Sequence, residues 1–120
     1  MASVTAPARV LVVDDDSATR AGLCEFLERA GYCCTAAASF EAARAIVRSS
    51  PPDLLITDVR LGAFNGLQLV VGHARSTPAI VISAFDDVTL KAAAREMGAT
   101  YLLKPISPSE LLEKVQAALV

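Results

Sequence analysis

Positive charge is in deficit here: 11 Lys and Arg stand against 13 Asp and Glu, a formal net charge of −2. Without a basic field, nucleic acid is not the expected direct partner of this segment. Cysteine is scarce and poorly spaced for bonding. The three residues, Cys24, Cys33 and Cys34, are odd in number, two are adjacent, and no C-x-x-C or Cys/His cluster accompanies them. Disulfides and structural zinc are therefore disfavoured, and a reduced, cytoplasmic setting fits. No apolar run approaches the length needed to cross a bilayer, and Met1 to Ala8 lack the regions of a signal peptide, so no membrane association is expected. Residues 1–8 read as a flexible N-terminal tail and residues 9–120 as one domain, because 120 residues leave room for a single core that buries about two thirds of the unfolded surface. Internal repeats and low-complexity tracts are also missing.

What is present is an alternation of short β-like runs and helical stretches. The β-like runs are Val10–Val13, Tyr32–Ala37, Leu54–Thr57, Ala79–Ile82 and Tyr101–Leu103. The helical stretches are Ser17–Ala30, Ser39–Ser49, a weaker Gly66–Arg75, Asp87–Met97 and Ser107–Val120. Runs such as Val10–Val13 and Ile80–Ile82 are apolar without alternation, as expected of parallel strands covered on both faces. This predicts an α/β fold: a five-stranded parallel sheet of order 2-1-3-4-5, doubly wound and flavodoxin-like, with helices on both faces. Helix ends carry their own signals. Ser107 with Pro108 and Glu110 forms a capping-box pattern, and Gly31 and Gly98 stand where helices should stop.

In such a sheet, ligands bind beyond the carboxyl ends of the strands. Asp14, Asp58, Ser83 and Lys104 each follow an apolar run and should share that edge. Two unit charges about 4 Å apart repel by roughly 4 kcal/mol at an effective dielectric near 20, so clustered Asp14, Asp15 and Asp58 require a cation or shifted pKa values. Ligation by oxygen alone favours Mg²⁺. Lys104 offers a mobile positive charge suited to a phosphoryl oxygen, and Ser83 a hydroxyl. These parts meet the needs of phosphoryl transfer, with a carboxylate as nucleophile. Asp58 is the better nucleophile because it stands alone at a strand end, whereas Asp14 and Asp15 are paired as metal ligands would be.

Four segments together, in this order and spacing, carry a resemblance: Val10–Asp16, Pro52–Arg60, Ile80–Ala84 and Gly98–Pro105. From Arg9 to Val120 the chain resembles the receiver domain of two-component response regulators. The resemblance implies a phosphorylation-activated switch, not an enzyme with an external substrate, in which Asp58 accepts a phosphoryl group from a sensor histidine kinase or phosphotransfer protein. It implies that Asp15, Asp58 and the backbone carbonyl of Arg60 bind Mg²⁺, with Asp14 acting through water. It also implies that Ser83 and Lys104 contact the bound phosphoryl group, that Tyr101 is an aromatic switch coupled to Ser83, and that Lys104–Pro105 is a cis bond. The surface of the fourth helix, fifth strand and fifth helix would then control an output domain or partner, or a phosphorylation-dependent homodimer.

The chain departs from the family pattern in two places. The loop after the acceptor strand, Leu61–Gly66, lacks the usual proline, and the third helix is short, with Gly72 inside it. Arg60 and Phe85, each two residues beyond Asp58 and Ser83, lie where the family controls water access, which implies a long-lived phosphorylated state. Rival readings stay open at this stage. Asp14-x-Asp16 after a strand resembles the nucleophile motif of haloacid-dehalogenase-like phosphatases, with Asp14 attacking, although Ala18 replaces the usual residue. A flavin or nucleotide binder would need a phosphate loop after the first strand, and a phosphate-independent docking module would be expected to lack Asp58 or Lys104. The aspartates alone could form a solvated turn, Tyr101 could simply pack, and His73 reads as a surface residue.

Overall fold

Five apolar runs become the parallel strands of one sheet in the computed structural model, which describes residues 6–71 and 77–120. The elements in chain order are β1 (Arg9–Val13), α1 (Ser17–Arg29), β2 (Cys33–Ala37), α2 (Phe40–Ser49), β3 (Leu54–Asp58), β4 (Arg60–Leu61), β5 (Phe64–Asn65), α3 (Leu67–Val71), β6 (Ala79–Ser83), α4 (Val88–Glu96), β7 (Thr100–Leu103) and α5 (Pro108–Ala118). The large sheet runs β2-β1-β3-β6-β7, all pairs parallel. Counting its own strands alone, that is the order 2-1-3-4-5 expected from the sequence.

Alternate residues of each central strand serve opposite layers. Val10, Val12, Leu54, Ile56, Ile80 and Ile82 pack with Leu27 of α1 and with Leu111 and Val115 of α5. Leu11, Val13, Leu55 and Ala79 face Ala43 and Val47 of α2 and Leu69 of α3. Val81 meets Ala94 of α4 and Leu67. Because both faces are covered, the strands have no polar side, which is why their sequences show no period of two. Cys24 and Cys34 are half-buried against the first of these clusters as small apolar groups, and Cys33 is exposed. Burial, with the Cys24 thiol beside it, pushes the Cys34 thiol far above its ordinary value, so it is a poor nucleophile.

Helix starts are fixed by short polar side chains. Asp16 accepts from the Thr19 N–H at 2.9 Å, Ser39 from the Ala42 N–H at 3.2 Å, Asp87 from the Thr89 N–H at 2.9 Å, and Ser107 loosely from the Glu110 N–H at 3.5 Å. Gly31 and Gly98, at φ 100° and 77°, take the left-handed conformation that ends α1 and α4.

One element departs from expectation. Where Leu61–Gly66 were read as a loop, Arg60–Leu61 and Phe64–Asn65 form a two-stranded antiparallel hairpin, β4 with β5, turning at Gly62 with φ 62°. Strands of two residues are too short to leave a periodic trace. The Phe64 ring stacks on Phe40 of α2 with centroids 4.6 Å apart, which pins the hairpin to the body of the domain. The expected third helix is present over Leu67–Val71. Gly72, His73 and the remainder of that stretch, like residues 1–5 of the expected tail, lie outside the described residues. Ala8, assigned to the tail, already accepts a backbone hydrogen bond from Cys33 at 2.9 Å. Among the described residues no helix is long and apolar enough to cross a membrane.

Candidate functional site

The buried polar or charged side chains among the described residues are Asp14, Thr57 and Ser83, 2%, 0% and 1% exposed. All three lie at the carboxyl edge of the sheet. Desolvating such groups is unfavourable unless they are partnered, so their gathering at one place marks that edge as functional.

The strands deliver them directly. Asp14 follows β1, with its N–H on the Ala37 carbonyl at 3.2 Å. Asp58 ends β3 and Ser83 ends β6, while Lys104 follows β7 and donates its N–H to the Ser83 carbonyl at 2.7 Å. The Lys104 ammonium reaches 3.0 Å from Asp58 Oδ2 and 3.4 Å from Asp14 Oδ2. The other oxygen of Asp14 accepts from the Asp16 N–H at 2.9 Å, and Asp58 Oδ1 accepts from the Arg60 N–H at 3.1 Å. The Lys104–Pro105 peptide bond is cis.

Asp14, Asp15 and Asp58 each offer a carboxylate oxygen, and these atoms lie within 4.8 Å of one another. One ammonium against three carboxylates leaves an excess of negative charge. Burial, then the negative charge of Asp58, raises the Asp14 carboxyl above the ordinary carboxylate value, although the Asp16 N–H and Lys104 oppose the rise. Burial pulls the Lys104 ammonium down, but the hydrogen bond and charge of Asp58, joined by Asp14, outweigh it and hold the lysine protonated. Asp16 faces the other way: its bonds to Thr19 hold its carboxyl low and make it a helix cap rather than a member of the cluster. The donor set is hard oxygen only, as a Mg²⁺ ion requires.

Phe85 joins the site to the α4 side of the domain. Its N–H donates to Ser83 Oγ at 3.0 Å, and its carbonyl accepts from the Tyr101 hydroxyl at 2.6 Å. The Arg60 guanidinium lies over its ring, 4.2 Å from the centroid. Arg60, Phe85 and Tyr101, singled out in the sequence as separate positions, are thus one connected group.

Two residues were missed by sequence reasoning. Arg20 on α1 donates to the Asp14 carbonyl at 2.7 Å and steadies the acidic turn. A charged residue one turn into a helix carries no sign of that role. Gly66 packs its Cα against the backbone of Asp58: an added Cβ would lie 2.0 Å from the Asp58 carbonyl oxygen and 2.8 Å from Thr57 Oγ1. The Asn65-Gly66 pair is a turn signal that could have drawn attention to it. Asn65 also caps α3, accepting from the Leu67 N–H at 2.8 Å while Gln68 accepts from the Asn65 N–H at 3.1 Å.

The family model of the response regulator receiver domain matches residues 10–116. The chain belongs to that family. This receiver domain is 37% identical over 118 residues to the response regulator MprA of Mycolicibacterium vanbaalenii, covering 94% of the chain and 51% of the relative. It is 33% identical over 116 residues to the phosphate regulon transcriptional regulatory protein PhoB of Pseudomonas aeruginosa, covering 92% and 51%. The chain spans about half the length of these curated relatives. Among solved structures, the chemotaxis protein CheY4 of Vibrio cholerae superposes with a TM-score of 0.86 at 29% identity, covering 95% of this chain and all of that one. A CheY-like receiver domain protein of Methanospirillum hungatei gives 0.89 at 27%, covering 94% of each. Receiver domains are phosphoacceptor switches rather than classical enzymes, and the family match favours that reading over the phosphatase and flavin-binding alternatives. The geometry agrees: Asp14, the nucleophile a phosphatase would need, is the most enclosed of the carboxylates in the cluster.

Proposed function

We propose that Asp58 is the phosphoacceptor of a switch driven by a sensor histidine kinase or phosphotransfer protein. The observation that carries this reading is the Lys104 ammonium, 3.0 Å from an Asp58 oxygen at the mouth of a three-carboxylate cluster. An Asp58 carboxylate oxygen attacks phosphorus, and the phosphorus–nitrogen bond of the donor phosphohistidine breaks as the acyl phosphate forms. Lys104, already paired with Asp58, neutralises charge on a phosphoryl oxygen, and the Ser83 hydroxyl hydrogen-bonds another. Asp15, Asp58 and the Arg60 carbonyl would hold Mg²⁺, with Asp14 acting through water; the ion neutralises the crowded negative charge when bound.

The added charge biases a two-state element. Ser83 exchanges its bond with the Phe85 N–H for the phosphoryl group, the Tyr101 ring turns inward, and the α4–β7–α5 surface changes. That surface exposes Val88 (81%) and Leu103 (40%), apolar groups suited to an output domain, a partner or a second copy of the chain. The test is incubation with acetyl phosphate and Mg²⁺ followed by mass spectrometry. One phosphoryl group on Asp58, absent from Asp58→Asn, is expected; a label on Asp14, or none on folded protein, would refute the assignment.

A further inference from the structure

Phe85 is 48% exposed, so packing does not hold it in place. Three contacts do: its N–H on Ser83 Oγ, its carbonyl on the Tyr101 hydroxyl, and its ring under the Arg60 guanidinium. Arg60 is tied in turn to the acceptor, because its own N–H donates to Asp58 Oδ1 at 3.1 Å. No acidic side chain forms an ion pair with the Arg60 guanidinium among the described residues. It therefore rests on an aromatic face within one short loop of the carboxylate that is to be modified.

We infer that the Arg60–Phe85 stack is a latch that holds the unmodified state, and that Arg60 is the charge sensor that releases it. The inference rests on Asp58 being the phosphoacceptor. A cation on a half-exposed ring is held weakly, whereas a charge-assisted hydrogen bond to a phosphoryl oxygen is among the stronger polar contacts. A dianionic group on Asp58 draws the guanidinium away from the ring. Phe85 then loses one of its three restraints, and the loop Ser83–Phe85 is free to turn Ser83 toward the new oxygens. The Tyr101 hydroxyl, bonded to the carbonyl of the same residue, moves with it. Arg60 is thus a positioning residue for Ser83, acting through Phe85.

The stack can be read directly, because a ring current shifts the resonances of a guanidinium lying above it. Nuclear magnetic resonance of the full chain is recorded with Mg²⁺, with and without beryllofluoride as the phosphoryl stand-in, for the parent, Arg60→Gln and Phe85→Leu. In the parent, the Arg60 side-chain N–H resonances are expected to carry a ring-current shift that beryllofluoride abolishes; in Phe85→Leu they lack it from the start. Without beryllofluoride, Arg60→Gln is expected to move the Tyr101 ring resonances part-way to their activated positions, an equilibrium change of about two- to fivefold for loss of one exposed cation–π contact. If Asp58 neighbours respond to beryllofluoride while the Arg60 shift stays, or if Arg60→Gln leaves Tyr101 at its parental position, the latch is wrong and the acceptor assignment survives. If the parent shows no response around Asp58, the acceptor reading fails and the latch with it.

Discussion

Gly66→Ala is a one-carbon change aimed at Asp58 from behind. The new Cβ would meet the Asp58 carbonyl oxygen at 2.0 Å and Thr57 Oγ1 at 2.8 Å, where ordinary contact begins at 3.4 Å. The nearest obstacle is backbone, so no side chain can swing aside and the chain must part by roughly 1 Å or more. Overpacking of this kind costs about 1–3 kcal/mol, and separating Gly66 from Val59, whose carbonyl accepts its N–H at 2.6 Å, adds about 1 kcal/mol. A total near 3 kcal/mol should lower the melting temperature by roughly 10 °C for a domain of this size. The displaced residue is also the proposed acceptor, and a misplacement of about 1 Å at a reacting group can slow chemistry about 100-fold. Gly22→Ala is the control: its Cβ meets nothing within 4 Å, and in mid-helix the change should stabilise by about 0.5–1 kcal/mol. Thermal melts and the rate of Asp58 phosphorylation from acetyl phosphate, both below the variant's transition, check the pair. A Gly66→Ala protein that melts and reacts like its parent would falsify the argument.

Other perturbations probe the cluster separately. Lys104→Met should destabilise the metal-free protein by about 1–3 kcal/mol at neutral pH, because Asp14 and Asp58 lose their shared cation, and added Mg²⁺ should restore most of the loss in urea titrations. Mg²⁺ at ten times its dissociation constant should stabilise the parent by about 1.4 kcal/mol, and Asp15→Asn should abolish that gain in the same thermal melts. The Asp14 carboxyl is raised in the folded state, so its effect on stability is most favourable below the ordinary value of 3.8 and is lost as pH rises through the folded value. In chelator, Asp14→Asn should therefore be more stable than the parent at pH 7, with the advantage vanishing below about pH 4; a constant difference across that range would count against it. Phe85→Ala should shorten the lifetime of the phosphorylated form by opening the site to water, and a lifetime equal to the parent's would show that the ring shields nothing.

Much of the sheet was legible in the sequence because doubly covered strands write themselves as unbroken apolar runs, and the polar residue ending each run marks the edge where ligands bind. Val10–Val13 before Asp14, and Ala79–Ile82 before Ser83, are of this kind. The hairpin at residues 60–65 was illegible for the opposite reason: two-residue strands bury too little to impose a pattern, and the Phe40–Phe64 stack that secures them joins positions 24 residues apart. Gly66 escaped notice because a glycine required for space looks the same as one required for a turn. The link between Arg60 and Phe85 depends on how two loops from different strands approach each other, which no local signal encodes.

Asp14, Thr57 and Ser83 add little apolar burial where they sit, and each must find a partner for its polar atoms in a nearly dry environment. Thr57 satisfies its hydroxyl on the Asp58 carbonyl at 3.0 Å, Ser83 receives the Phe85 N–H, and Asp14 relies on Lys104 and its own turn. None of these arrangements contributes to the two hydrophobic layers, which rest on residues such as Ile56, Ile80 and Leu111. Truncating a core residue should therefore lower stability while leaving the response to beryllofluoride intact in whatever fraction stays folded. Exchanging Ser83 for alanine should do the reverse, removing one hydrogen-bond restraint on Phe85 at little expense to the core. Stability rests on the apolar middles of the strands, whereas Asp14, Asp58, Ser83 and Lys104 gather at their carboxyl ends.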